Sequence, residues 1–181
     1  MARKGYRVFL TARGWIAVAA TEMGVCGVVV PRATQEEAER ELLSEHPAAQ
    51  PVEALPWDAE GLFQRYMRGE DSGLDALPLD LSEGTVFQRA VWVAARHIPF
   101  GQVQTYNWLA QHIGKPGASR AVGRALGANP VPIVVPCHRV LGADGGLHGF
   151  KGGLHLKVML LACEGRMLFS DKEYPALPLR R

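Results

Sequence analysis

"RAVGRALGANPVPIVVPCHRV", residues 120–140, changes character halfway along, and its two halves have to be read together. The first half has helical spacing. Arg120 and Arg124 stand four apart and share a face, with the small Ser119, Gly123 and Gly127 nearby. Each glycine costs a helix about 1 kcal/mol relative to alanine. Close approach of another backbone, from protein or nucleic acid, is one reason to accept that cost, and packing inside the core is the other. The second half is an apolar run that reads as a buried strand and closes on Pro136, Cys137 and His138.

Upstream, "TYNWLAQHIG" (105–114), a turn at "GKPG" (114–117) and "ASRAVGRALGANP" (118–130) make helix, glycine-bearing turn, helix. That is helix-turn-helix spacing, shared by αα-hairpins that bind nothing. Before it, "TVFQRAVWVAARHI" (85–98) is a helix capped by Thr85. Val86, Ala90, Val93 and His97 form one stripe, Phe87, Val91 and Ala94 lie beside it, and Pro99 ends it. Downstream, "LHLKVMLLACEG" (154–165) is an apolar helix.

The N-terminal half reads differently. "YRVFLTA", "GWIAVAAT" and "GVCGVVVPRA" are β-branched runs broken by Gly14 and Gly24, as in hairpin-connected strands. Thr34 caps a helix, "QEEAERELLSEH", and "WDAEGLFQRYMRGE" is a second helix begun near Asp58. "EDSGLDALPLDLSEG" (70–84), rich in turn formers and acids, reads as the connection between two modules.

The 181 residues, 48% hydrophobic and 21% charged, suit a soluble globular chain with a real core. The longest apolar runs, 15–20 and 25–30, are too short to span a bilayer, and the first residues show no signal-peptide pattern. Three widely spaced cysteines argue for a reducing, cytoplasmic setting rather than a disulfide scaffold. The net charge of +2 conceals a split: residues 1–84 carry 8 Lys+Arg against 14 Asp+Glu, and residues 85–166 carry 9 against 2. A balance of −6 beside one of +7 suggests that only the second module faces an anionic partner.

Three chemistries compete for Cys137 and His138. Zinc normally takes four ligands in paired spacing, and here only His148 and His155 stand near, so no metal is expected. Inert core packing suits Cys26 and Cys163 better than Cys137, whose flanking Pro136, His138 and Arg139 break the apolar pattern. A nucleophile needs a base to draw off the thiol proton. Neighbours in a regular strand point to opposite faces, so a turn or a bridging water is required. The orienting acid is Glu164 or Asp144, the only carboxylates between residues 85 and 166.

The ordered run from Arg120 to Val140, with P-C-H-R-V at its end, R-A-V-G and N-P before it and "GGLHLKVMLLACEG" after it, resembles the O6-alkylguanine-DNA alkyltransferases. The likeness covers residues 85–166 well and the N-terminal module only in length and arrangement. It implies an α+β fold: a small N-terminal antiparallel sheet with helices, ribonuclease H-like, plus a mostly helical C-terminal domain with a helix-turn-helix. The implied division is 1–78, 79–170 and a tail, 171–181.

The resemblance implies direct-reversal repair of duplex DNA containing O6-alkylguanine, with O4-alkylthymine left open. The base is flipped out and its alkyl group passes once to Cys137. His138 is then the base, through a water, and Glu164 orients it. Asn129 braces the turn. Tyr106 rotates the nucleotide and protonates the leaving guanine toward N3. Arg120 fills the stack from a minor-groove helix bearing Ser119, Ala121, Gly123 and Arg124. Pro132, Val140, Phe150 and Lys151 form the substrate pocket, where carbonyls of Cys137 and Val140 meet the exocyclic amine and the Lys151 N–H meets O6. No cofactor, metal or membrane is implied, and a monomer is expected, with cooperative assembly on DNA open. Phe150 replaces a common tyrosine, and Lys151 stands where a small residue is frequent. A helix-turn-helix binder without chemistry and a cysteine hydrolase are the alternatives.

Overall fold

The computed structural model describes residues 3–166; the expected tail, 171–181, lies outside the described residues. The chain divides into two compact units between Leu81 and Ser82.

In the first unit, strands β1 (Gly5–Thr11), β2 (Gly14–Ala20) and β3 (Val25–Arg32) precede helix α1 (Gln35–Glu45). A two-residue strand, β4 (Gln50–Pro51), and helix α2 (Ala59–Met67) follow. The sheet runs β3-β2-β1-β4, antiparallel except where β4 joins β1 in parallel. The centre of β2 and nearly all of β3 are buried without alternation, as expected of strands covered on both faces. Ala17, Ala19 and Val29 pack with Ala38 and Leu42 of α1, while Phe9 meets Phe63 of α2 at 6.1 Å between centroids. Thr34 caps α1, its hydroxyl accepting from the Glu37 N–H at 3.2 Å. Gly14 turns β1 into β2 at φ +126°, where a Cβ would stand 2.6 Å from the Arg32 carbonyl, so no other residue fits.

The connection expected over 70–84 is largely part of this unit. Leu74 and Leu77 are buried, and residues 78–80 dock beside β3. The Val25 N–H donates to the Pro78 carbonyl, the Asp80 N–H donates to Val25, both at 2.9 Å, and the Thr21 hydroxyl donates to Asp80 at 2.7 Å. Apolar residues set among turn formers anchor a segment whose composition suggested a spacer.

The second unit holds helices α3 (Val86–Arg96), α4 (Tyr106–His112), α5 (Ser119–Gly127) and α6 (Leu154–Cys163). Two short strands, β5 (Gln104–Thr105) and β6 (Val140–Leu141), pair in parallel. Helix α3 buries Val91, Trp92, Ala94 and Ala95. The stripe of Val86, Ala90, Val93 and His97 is the exposed one, with Val86 at 78% and Val93 at 50%. Trp92 decides the face, because its ring fills the space against α5 and its indole N–H donates to the Ala125 carbonyl at 2.8 Å. Helices α4 and α5, joined by the turn at 113–118, form the helix-turn-helix, and α5 buries Val122, Ala125 and Leu126 while Arg120 and Arg124 face out. No helix among the described residues is long and apolar enough to cross a membrane.

Helix α3 starts in a full capping box: the Gln88 N–H donates to the Thr85 hydroxyl and the Gln88 side chain accepts from the Thr85 N–H. Thr85→Ala removes one of these bonds and is expected to cost about 1 kcal/mol. The loss should appear as a lower urea midpoint with an unchanged slope.

Candidate active site

The run expected as a buried strand at 133–135 is a buried turn. Pro132 and Pro136 have no N–H to give a sheet ladder, and Ile133 takes φ +78°. A β-branched residue held there costs on the order of 1–3 kcal/mol, so the surroundings must hold it in place. Asn129 does much of this. Its side-chain oxygen accepts from the Val131 N–H at 3.0 Å, and its amide donates to the Val135 carbonyl at 2.9 Å and to Cys137 Sγ at 3.3 Å. The Cys137 N–H then donates back to Val135 at 2.8 Å around Pro136 (φ −80°, ψ 63°), an inverse γ-turn. Cys137–Arg139 follow as a single 3₁₀ turn, which removes the strand alternation that would separate cysteine from histidine.

Cys137 is 7% exposed, and burial pushes its thiol up. The Asn129 amide, the Lys157 charge and the N–H groups of Cys137 and His138 partly counter that. At rest the sulfur therefore carries its proton, and reaction needs a base.

A candidate base lies one residue on. His138 is fully buried, with Nε2 at 2.6 Å from Glu164 Oε1. Burial drives the Glu164 carboxyl up, but hydrogen bonds and charge from His138 and Arg139 overrule it and hold it down at about 2. An ionised carboxylate only accepts, so His138 Nε2 carries the hydrogen and Nδ1 is the lone-pair nitrogen of the neutral ring. Burial lowers His138 and Glu164 raises it, while Arg139 and Lys157 lower it further, leaving it below its ordinary value. Asp144, the other candidate acid, sits exposed in its turn, accepting from the Gly146 N–H at 2.9 Å.

Two buried cations of the site escaped the sequence reading. Arg139 forks onto Glu164 through Nε and Nη2 at 2.9–3.1 Å and donates from Nη1 to the Ile98 carbonyl at 2.6 Å. Lys157, wholly buried in α6, donates to the carbonyls of Val140 at 2.7 Å and His148 at 3.4 Å, with Nζ 6.0 Å from the Tyr106 ring centroid. Burial lowers its ammonium to about 8, against the pull of Cys137. A lone lysine in an otherwise uncharged apolar helix was the available signal. Tyr106 is partly buried, and burial, then Cys137, push its hydroxyl up.

A cavity of about 670 Å³ opens beside α5. Tyr106, Ser119, Arg120, Gly123 and Arg124 line one side, and His148, Phe150 and Lys151 the other. Pro132 and Val140, expected in its wall, are buried outside it: Pro132 belongs to the Asn129 turn, and the Val140 carbonyl takes Lys157. Ala121 and Cys137 also lie off this wall. A Cβ on Gly123 would make ordinary contact with the Tyr106 ring at 3.7 Å, and one on Gly127 would meet nothing within 4 Å. Core packing therefore demands neither glycine.

Residues 86–166 match the family model described as 6-O-methylguanine DNA methyltransferase, DNA binding domain. A methylated-DNA–protein-cysteine methyltransferase of Shigella flexneri is 50% identical over 106 residues, 59% of this chain and 61% of its own. One of Mycobacterium leprae is 47% identical over 114 residues, covering 63% of this chain and 68% of its own. The chain thus matches about three fifths of the Shigella relative's length. A crystal structure of Mycobacterium tuberculosis OGT in complex with DNA superposes with a TM-score of 0.71 at 34% identity, covering 88% of this chain and 92% of that one.

The depressed Glu164 carboxyl makes a stability prediction. Below about 4.5 the unfolded chain takes up a proton that the folded chain refuses until about pH 2, so folding stability falls as pH drops through that window. This group's share is about 3 kcal/mol. Urea unfolding of Glu164→Gln should show a deficit at pH 7 that shrinks toward pH 2; a constant deficit would refute the assignment.

Proposed function

The chain belongs to the 6-O-methylguanine DNA methyltransferase family, and on that premise we propose that it takes alkyl groups from O6-alkylguanine in duplex DNA onto Cys137. The observation that carries the reading is the His138–Glu164 pair at 2.6 Å, one residue on from a protonated thiol that acts on Tyr106 in the wall of the cavity beside the Arg120 helix.

The basic unit meets phosphates and the α5 face enters the minor groove, where Gly123 and Gly127 let the DNA backbone come close. A damaged, poorly paired guanine costs less to extrude than an intact one, which supplies part of the selectivity. Arg120 fills the gap left in the stack. His138 Nδ1 draws the Cys137 proton through a bridging water while Glu164 steadies the ring. The sulfur electron pair then forms the S–C bond to the alkyl carbon as the C–O6 bond breaks. Tyr106 protonates the departing guanine toward N3, and the proton taken up by His138 returns to Tyr106. One proton has moved from sulfur to guanine, and the product is a thioether, which offers water no carbonyl to attack. Each molecule works once. A reducing, cytoplasmic setting belongs to the same reading, since Cys137 must remain a free thiol. A helix-turn-helix binder without chemistry leaves the buried Cys137, His138 and Glu164 without a task.

Incubation with a duplex holding one O6-methylguanine, followed by intact and peptide mass measurement, should show one methyl gained per chain on the Cys137 peptide. Binding without mass change, or turnover of an ester or amide, would defeat the proposal. Arg120→Ala should slow repair of duplex DNA far more than reaction with the free modified base. Gly127→Ala, which meets nothing within the protein, should raise thermal stability by up to about 1 kcal/mol yet weaken duplex binding. Retained affinity would remove the case for close backbone approach there.

A further inference from the structure

We propose that Arg139 is a positioning residue that keeps His138 an uncharged base, because it neutralises Glu164 and lets that carboxylate aim the imidazole without protonating it. The inference rests on the alkyl-transfer reading for its consequence, though not for its electrostatics.

A histidine sharing a dry site with one carboxylate tends toward imidazolium and carboxylate, and an imidazolium cannot take the thiol proton. Here the carboxylate is already engaged. Arg139 Nε reaches Oε1 at 3.1 Å and Oε2 at 2.9 Å, and Nη2 reaches Oε1 at 2.9 Å. The Gly101 N–H adds a donor to Oε2 at 3.0 Å. The guanidinium is held in turn: Nη1 donates to Ile98, and the Phe100 ring lies 5.9 Å from its central carbon. At 7% exposure it cannot swing into water and leave the carboxylate to His138 alone.

The charged groups acting on His138 are Lys157 of α6, Glu164 at its C-cap and Arg139 from its own turn, with Cys137 the preceding residue of that turn. While Cys137 is a thiol, that set holds two cations against one anion. A proton on His138 would make it three against one inside the protein, so the ring stays neutral. Burial works in the same direction, and Glu164 alone opposes it. Once the thiol proton has moved, the thiolate and imidazolium form together and the excess charge does not change. Cys137, His138 and Arg139 thus place the nucleophile, its base and the base's counterweight on consecutive residues.

The test uses the full chain. Single-turnover methyl transfer from an O6-methylguanine duplex is followed from pH 5 to 8.5 for wild type, Arg139→Lys, Arg139→Gln and the Arg139→Gln/Glu164→Gln pair. The His138 ring is titrated in parallel by NMR. Wild-type His138 should stay neutral to below the ordinary histidine midpoint. In Arg139→Gln its midpoint and the acid limb of the rate should both rise by about one pH unit or more, a tenfold gain in proton affinity. Arg139→Lys should keep the wild-type midpoint, and the double variant should return to it. An Arg139→Gln loss equal at every pH with an unmoved ring midpoint would overturn the proposal. So would a wild-type ring that titrates above the ordinary histidine midpoint. If Arg139→Gln does not fold, the wild-type and Arg139→Lys titrations decide. Absence of methyl transfer in the wild type would sink the functional reading while the ring titration still judged Arg139.

Discussion

A carboxylate withdrawn from water costs several kcal/mol unless its oxygens are filled. Glu164, 5% exposed at the end of α6, draws its donors from two distant places: the Gly101 N–H after α3, and His138 and Arg139 in the turn before β6. Satisfying this one group therefore holds together segments that are remote in sequence. The β5–β6 pairing of Gln104 with Val140 lies between them, and the Lys157 bond to the Val140 carbonyl ties the same strand to α6. The contact that orients His138 is also a closing contact of the core, so the geometry of the site and the stability of the unit are hard to alter separately.

That arrangement bears on the sulfur. Cys137 is reached by donors rather than by a carboxylate: the Asn129 amide, two backbone N–H groups and the Lys157 charge. Each favours a thiolate over a thiol, and burial outweighs them together. Thiolate formation is thereby prepared for without being the resting state. The left-handed Ile133 and the γ-turn at Pro136 belong to the same device, since they deliver the Val135 carbonyl and the Cys137 sulfur to where the Asn129 amide can reach both.

Sequence patterns were most informative where they had a period or an ordered motif. The three strands, the Thr34 and Thr85 caps and the two helices around the 113–118 turn follow from β-branched runs, capping residues and glycine placement. The Cys137–His138–Arg139 run pointed to chemistry, and Glu164 was one of only two acids available. What stayed hidden depended on tertiary pairing. Ile133 to Val135 has strand composition but no usable ladder, because prolines flank it and the Asn129 side chain takes the Val135 carbonyl. The exposed stripe of α3 is as apolar as the buried one, and only the reach of Trp92 to Ala125 separates them. Leu74 and Leu77 sit among turn formers, so local composition masked their burial. Arg139 and Lys157 were given no task because their acceptors, Glu164 and three main-chain carbonyls, lie 9 to 41 residues away.

On the proposed alkyl transfer each molecule reacts once, which sets a different optimum from that of a turnover enzyme. A permanently ionised, accessible sulfur would react with oxidants and stray electrophiles, and each such event would remove a molecule from service. Keeping Cys137 buried and protonated guards against that at the expense of speed at rest. The base must then be neutral and already aimed when a flipped nucleotide arrives, because substrate binding leaves little freedom to reorganise a fully buried imidazole. A bare histidine–carboxylate pair would be aimed but prone to protonation, and a lone histidine would be neutral but loose. The Glu164–Arg139 fork meets both demands at once, which gives a physical reason for an arginine, with its always-charged planar fork, directly after the histidine.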